Sequence, residues 1–404
     1  MNKIDNIKAE EILDSRGNPT IMVTVSSGVF SGTFSVPSGA STGAHEAHEL
    51  RDVDGRGVSS AIKNVNEIIA PMLVGQDLLN QRGIDELMLG LDATGNKSKL
   101  GGNAIIGVSI ACAKAAAAAS NLETYEYLRT LVVIKSSQDV PFLYLNLLEG
   151  GKHAKNGLAF QEYHIIPNTK DLRAAVDAGI RVQSKLQEVI KKELGEGSVL
   201  NGDEGGLDPK ISEIRKPLEF LTQAIDECRL GVTVSLALDV AASSFYVEGK
   251  YIVDGKEILK DELMSLYKEL VEEFKLLSIE DPFDEEDFTD FKKLKEEIPG
   301  LLVVGDDITV TNKKLLEKAI VNKSINAIII KPNQIGTLTE TLETMKLATD
   351  NDIKLIVSHR SGETMDDFIA DLAYAFGAFG LKAGSPMAKE RRIKYDRLVN
   401  ITKK

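Results

Sequence analysis

The residues of this chain that could do chemistry recur in a pattern. In the second half, six ionisable side chains each follow an apolar run and precede a loop: Asp239 after VSLAL, Glu280 after LLSI, Asp306 after LLVVG, Lys331 after AIII, His359 after LIVS and Lys382 after FGL. A lysine ending such a run either snorkels out to water or is held in a cleft as a base, and Lys331 alone does not decide between the two. The neighbours shift the balance, because six ionisable residues at successive strand ends would meet at one mouth. Two acids elsewhere join them. Glu162, next to Gln161 in LAFQEYHIIP, is either paired in the interior or catalytic, since buried glutamate is rare without a role. Glu204 lies in NGDEGG, where flanking glycines either let the backbone approach a ligand or simply make a turn.

Holding these residues together takes a regular scaffold. The sites from Glu280 through Asp306, Lys331 and His359 to Lys382 lie 26, 25, 28 and 23 residues apart, about one strand plus one helix each. Three consecutive isoleucines before Lys331 suit a strand buried on both faces, and the intervening 287–298 and 312–321 carry helical spacing and charge. The fold class predicted is α/β, with a parallel sheet closed as a C-terminal (β/α)8-type barrel. Ahead of it, 6–13, 20–26 and 28–36 read as strands and 57–69, 81–91 and 103–120 as helices, which predicts a smaller α+β N-terminal domain. The division expected is 1–133 for this lid or capping domain and 134–404 for the barrel, with a linker at 136–139. Within the barrel, 141–148 and 159–167 read as strands and 171–194 as an amphipathic helix. The glycine-rich segment 36–43 is either an ordinary surface loop or a mobile lid bringing Ser41 over a site. It lacks the lysine of a phosphate-binding P-loop. The loop 150–154 carries His153, one of five histidines.

Composition narrows the function classes. A chain of 404 residues exceeds one comfortable core, so two domains are expected. With 48 Lys+Arg against 61 Asp+Glu, a net −13, nucleic acid and anionic membrane are disfavoured as partners. The N-terminal MNKIDNIKAEEILDS has no apolar targeting region, and no apolar run is expected to approach the ~18 residues of a membrane span. Cys112 and Cys228 stand singly in helix-like contexts, which predicts a reduced, cytoplasmic protein without a cysteine zinc site.

Longer motifs then come into view. SGASTG at 38–43, GGKHA at 150–154, FQE at 160–162, GDEGG at 202–206, IEDPF at 279–283, GDDITVTN at 305–312, KPNQIGTLTET at 331–341, SHRSGET at 358–364 and LKAGSP at 381–386 together resemble enolase. ILDSRGNPT and LDATGNKSKLGGNAIIGVS match as well, so the resemblance covers nearly the whole chain in order. It implies the reversible dehydration of 2-phosphoglycerate to phosphoenolpyruvate, a hydro-lyase step of glycolysis and gluconeogenesis. It also implies the roles of individual residues. Lys331 is the base that removes the C2 proton, made neutral near pH 7 by metal and Lys382 charge, and a Lys base with one or two Mg²⁺ ions is a pattern already established for this superfamily. Glu204 is the general acid, with Glu162 coupled to it. Asp239, Glu280 and Asp306 are oxygen ligands that suit Mg²⁺ or Mn²⁺ rather than zinc. A second Mg²⁺, dependent on substrate, is reached through Ser41. Arg360, Ser361 and Lys382 surround the substrate, Arg360 as a fork for phosphate, while His153, Gln161 and His359 line the same pocket. The partner implied is a small phosphorylated carboxylate, and a homodimer or higher homo-oligomer is expected.

Some positions depart from the family pattern. Glu149 stands where Asn is usual, Tyr163-His164 replace Phe-Met, Ala388 replaces a basic residue, and the loop after Arg51-Asp52 is short. Another enzyme of the superfamily, acting on a different carboxylate, is the alternative reading. The basic stretch 389–397 is read as a solvated helix end.

Overall fold

The computed structural model describes residues 2–39, 43–53, 55–135 and 139–403. Ser41 and most of the expected linker (Ser136, Ser137 and Gln138) lie outside the described residues.

The N-terminal part is built on an antiparallel sheet of Asn6–Leu13, Pro19–Ser27 and Phe30–Ser35, in sequence order. Alternation along its middle strand sends Ile21, Val23 and Val25 into a fully buried face. The helix Gly102–Ala119 packs on that face. Its alanines let it lie very close: a Cβ on Gly32 would sit 2.2 Å from the backbone nitrogen of Ala115, so only glycine fits there. By length and composition this helix is apolar enough to cross a membrane, contrary to the expectation from sequence, but 83% of it is buried inside the protein. It is a core helix.

The second part is the expected barrel. Its eight strands are Phe142–Glu149, Glu162–Pro167, Val234–Asp239, Ser278–Glu280, Leu302–Gly305, Ala327–Ile330, Lys354–Ser358 and Gly380–Lys382. The last pairs in parallel with the first, Gly380 opposite Phe142 and Lys382 opposite Tyr144, which closes the ring. Ala327 and Ile329 belong to a buried cluster with Tyr144, Ile166, Ala237 and Ile356, while Ile328 and Ile330 join the core under the helices. The AIII run is thus buried on both faces, as read from its composition.

One feature breaks the simple (β/α)8 repeat. The second strand runs antiparallel to the first and the third. Two helices, Leu172–Leu194 and Lys216–Cys228, then follow before the third strand, and a regular strand–helix alternation begins only there. The reason is the connection from 150 to 161: it holds only a short helical turn, Gly151–His153, so the chain must return antiparallel instead of crossing over.

The final helix, Lys389–Ile401, corrects another expectation. Arg391 and Lys394 on it are buried at 0% and 1% exposure, so the basic stretch is not simply a solvated helix end.

Candidate active site

The strand ends converge as the spacing requires. Asp239, Glu280 and Lys382 are the last residues of their strands, and Asp306, Lys331 and His359 stand one residue beyond theirs. Glu162 is the first residue of the reversed second strand, which brings it to the same mouth, opposite Glu149 on one side and Asp239 on the other. One pocket is lined by His153, Gln161, Glu162, Glu204, Asp239, Asp306, Lys331, His359, Arg360, Ser361 and Lys382. Glu280 reaches it through Lys382. Of the residues expected from sequence, only Ser41 lies outside the description.

Lys382 organises one side. Its buried ammonium donates to Asp239 Oδ2 at 2.8 Å and to both Glu280 oxygens at 2.9 Å, with Glu162 Oε2 at 3.4 Å. Burial would raise Asp239, but the Lys382 charge outweighs it and holds the carboxyl at about 2. Glu280, buried beside Asp239, is pushed well up by that burial and by its neighbour's charge. Gln161 also reaches Asp239 Oδ2, at 3.4 Å.

Lys331 forms an ion pair with Asp306. The neutral Lys331 implied by the family resemblance depends on the charge of a bound metal. Burial pulls its pKa down, yet the Asp306 carboxylate prevails and holds it above the ordinary lysine value. A cation held by Asp306 would take up the charge responsible. The donor set itself fits such an ion, because carboxylates outnumber the ammonium groups among them and every ligand atom is oxygen. Among the described residues, two side-chain groups are also close enough to hold a metal, Asp281–Asp306–Asp307 and His153–Glu162–Glu204. Asp281 supports the first from below, accepting hydrogen bonds from the backbone N–H of Asp306 at 2.9 Å and of Asp307 at 2.7 Å.

Glu162 and Glu204 form the acidic pair. His153 Nδ1 lies between them, 3.4 Å from Glu162 Oε1 and 3.5 Å from Glu204 Oε1. Burial, reinforced by the Glu204 charge, pushes Glu162 up to about 8. Burial also acts to raise Glu204, but His359, His153 and Arg391 outweigh it and leave that carboxyl well below its usual range. His359 is itself pushed down to about 3 by burial, so near neutral pH its ring is uncharged and gives Glu204 a dipole, not a charge. We therefore take the two buried carboxyls as a coupled pair sharing one proton. Asn146 Nδ2 donates to Glu204 Oε2 at 3.1 Å and fixes that carboxyl's orientation.

The departures noted in the sequence surround this pair. His164 Nε2 lies 2.8 Å from Glu162 Oε2. Glu149 is fully buried under the Glu204 loop and accepts from the N–H of Gly206 at 2.6 Å and of Glu204 at 3.1 Å. A Cβ on Gly202 would sit 2.2 Å from Glu149 Oε2. Gly202 and Gly206 of NGDEGG therefore make room for Glu149 beneath them. On the far side a Cβ on Gly205 would come 2.6 Å from that of Ala388, so this small residue packs directly against the acid loop.

Arg360 is held by Glu46, Nη1 to Oε2 at 2.8 Å and Nη2 to Oε1 at 3.1 Å. Glu46 also accepts from Gly43 N–H at 3.1 Å and from Gln334 Nε2 at 3.3 Å. That same amide nitrogen donates to Asp306 Oδ1 at 2.9 Å. Glu46, Gln334, Asn146, Asp281, His164 and Arg391 were not among the sequence candidates. Most act through hydrogen bonds to other side chains or to backbone, and such partnerships leave no periodic signal.

Comparison with known proteins bears on the whole chain. Residues 4–128 match the family model described as "Enolase, N-terminal domain", and residues 137–404 the one described as "Enolase, C-terminal TIM barrel domain". The protein named "Enolase" from Methanosarcina barkeri is 47% identical over 406 residues, covering 99% of this chain and 94% of the relative. Those of Methanocaldococcus jannaschii and Thermococcus gammatolerans are 45% and 46% identical, each covering 99% of this chain and 95% and 94% of the relative.

Proposed function

The chain belongs to the enolase family, and from that premise we propose that it catalyses the reversible dehydration of 2-phosphoglycerate to phosphoenolpyruvate, a hydro-lyase reaction of glycolysis and gluconeogenesis. The observation carrying this reading is that one buried pocket combines Lys331, the Glu162–Glu204 pair, and Arg360 with Ser361. A base, an acid and a phosphate fork are what the reaction needs together. The arginine also makes a phosphorylated substrate a better match than the unphosphorylated acids of related enzymes.

Lys331 removes the C2 proton. Glu204 takes up the proton it shares with Glu162 and delivers it to the departing 3-hydroxyl. Lys382 stabilises negative charge developing on the substrate carboxylate, and His153, Gln161, Arg360, Ser361 and His359 bind and orient the substrate. Asp239, Glu280 and Asp306 would hold Mg²⁺, with a second, substrate-dependent Mg²⁺ reached through Ser41. Bound metal supplies the positive charge that the carbanion next to a carboxylate requires.

We further take 1–133 and 134–404 as the two domains, supported by the separate N-terminal sheet. A reducing cytoplasm is the setting proposed, in keeping with the free thiols Cys112 and Cys228, and a homodimer or higher homo-oligomer is proposed from the family resemblance. The test of function is direct. Purified protein with 2-phosphoglycerate and Mg²⁺ should develop the ultraviolet absorbance of the enol product. No absorbance change under these conditions would end the reading.

A further inference from the structure

Arg391 is an unusual group to find in a core. Its guanidinium is fully buried, on a helix that otherwise contributes nothing to the pocket lining. Nη1 donates to the carbonyl of Arg360 at 2.5 Å, and Nη2 to those of Ser361 at 2.5 Å and Asp203 at 3.2 Å and to Ser15 Oγ at 3.3 Å. Nη1 also lies 2.8 Å from His359 Nδ1. A guanidinium has donors and no acceptor, so Nδ1 must be the bare nitrogen of the ring. The ring proton therefore sits on Nε2, which lies 3.1 Å from Glu204 Oε2, close to that carboxylate but not aligned for a hydrogen bond as the side chains stand. Gly384 keeps this arrangement possible: a Cβ there would sit 2.9 Å from His359 Cε1 and 3.0 Å from Arg391 Cδ.

We propose that Arg391 is a positioning residue that locks His359 in the Nε2–H form and so keeps an N–H, not a lone pair, on the side of the ring beside Glu204. The inference rests on the assignment of Glu204 as general acid. Without the lock, the ring is free to place its lone pair against the carboxylate, a repulsive contact in a buried site. The same guanidinium bonds the carbonyl of Asp203, one residue from Glu204, and those of Arg360 and Ser361, so the acid loop and the phosphate loop are fixed to a common point.

The test begins with the unaltered protein. Nitrogen-15 spectra of its histidine rings, with His359 assigned through His359→Gln, should show a bare Nδ1 and a protonated Nε2. The opposite tautomer overturns the proposal, and this measurement stands whether or not any Arg391 variant folds. Arg391→Met and Arg391→Lys should each slow formation of enol product about 10–100-fold, the effect of losing one charged hydrogen bond. Exchange of the C2 hydrogen of 2-phosphoglycerate in deuterated water should fall much less, because Lys331 does not touch Arg391. A purely structural role predicts equal loss of exchange and product, and equal loss would refute the proposal. If the unaltered protein neither exchanges nor forms product, the function reading fails instead, which separates the two.

Discussion

Replacing Glu204 with glutamine should separate the two halves of the reaction. The substitution is isosteric, and the site tolerates it for a definite reason. Glu204 Oε2 accepts from Asn146 Nδ2 at 3.1 Å and lies 3.1 Å from His359 Nε2, so the amide oxygen takes that place. The amide NH₂ then turns toward Oε1's neighbours, His153 Nδ1 and the Glu162 carboxyl. No buried polar group loses its partner, and the fold should be unaffected. What disappears is the proton for the leaving hydroxyl, worth about 10²–10⁴-fold, or about 3–5 kcal/mol of barrier. Lys331 is bonded to Asp306 and not to Glu204, so abstraction at C2 should continue. In deuterated water, proton NMR should show the C2 signal of 2-phosphoglycerate fading at nearly the normal rate while absorbance from product rises at least ~10²-fold more slowly. Loss of exchange in step with product would mean that Glu204, not Lys331, handles the C2 proton.

Lys331→Ala should abolish exchange and product together, by about 10²–10⁴-fold, and surviving exchange would remove Lys331 from the role of base. Chelation should silence the enzyme and Mg²⁺ restore it. Glu280→Gln should weaken Mg²⁺ binding in calorimetric titration because one buried anionic charge is gone, and unchanged affinity would exclude Glu280 as a ligand. Glu162 titrates near 8 in the folded protein against an ordinary 4.5. A raised carboxyl stabilises the fold fully below its unfolded pKa and loses that contribution as pH climbs through the folded value. Glu162→Gln mimics the protonated form, so its melting temperature relative to the parent should rise between about pH 5 and about pH 9. A pH-independent difference would contradict the burial of an ionisable proton there.

Much of this architecture was legible in the chain. The strand-plus-helix period located Glu280, Asp306, Lys331, His359 and Lys382 because each βα unit ends on the same face of a barrel. The reversed second strand was not read, since period carries no sign of direction. Its signal was the segment 150–161, too short for a helical crossover. Arg391 reads as surface in the sequence because its neighbours Glu390 and Arg392 are charged, and composition cannot tell a solvated cation from one satisfied by carbonyls. The glycines around Glu204 leave a close ligand approach and a plain turn equally open in the sequence, and the group that Gly202 and Gly206 admit is Glu149, far away in sequence. Gln334 and Glu46 matter through each other, and pairwise contacts of that kind are visible only once the chain is folded.

The closure of the barrel by its first and last strands has a consequence for how the protein is made. Phe142 cannot meet Gly380 until almost the entire chain exists. At about 5–20 residues per second, the first strand waits on the order of ten seconds or more on the ribosome. For that interval the stretch Phe142–Tyr144 of that edge has unpaired backbone groups, although its far end already meets Leu207, and an open stretch of edge invites pairing with another nascent chain. The acids of the site face a parallel delay. Asp239, Glu280 and Glu162 are synthesised long before Lys382, the ammonium that neutralises them in the interior. Until it arrives, burying them together as anions is unfavourable. The residue that shuts the ring is thus also the one that makes shutting it electrostatically acceptable, so a chain ending short of Lys382 has neither a closed barrel nor a balanced site.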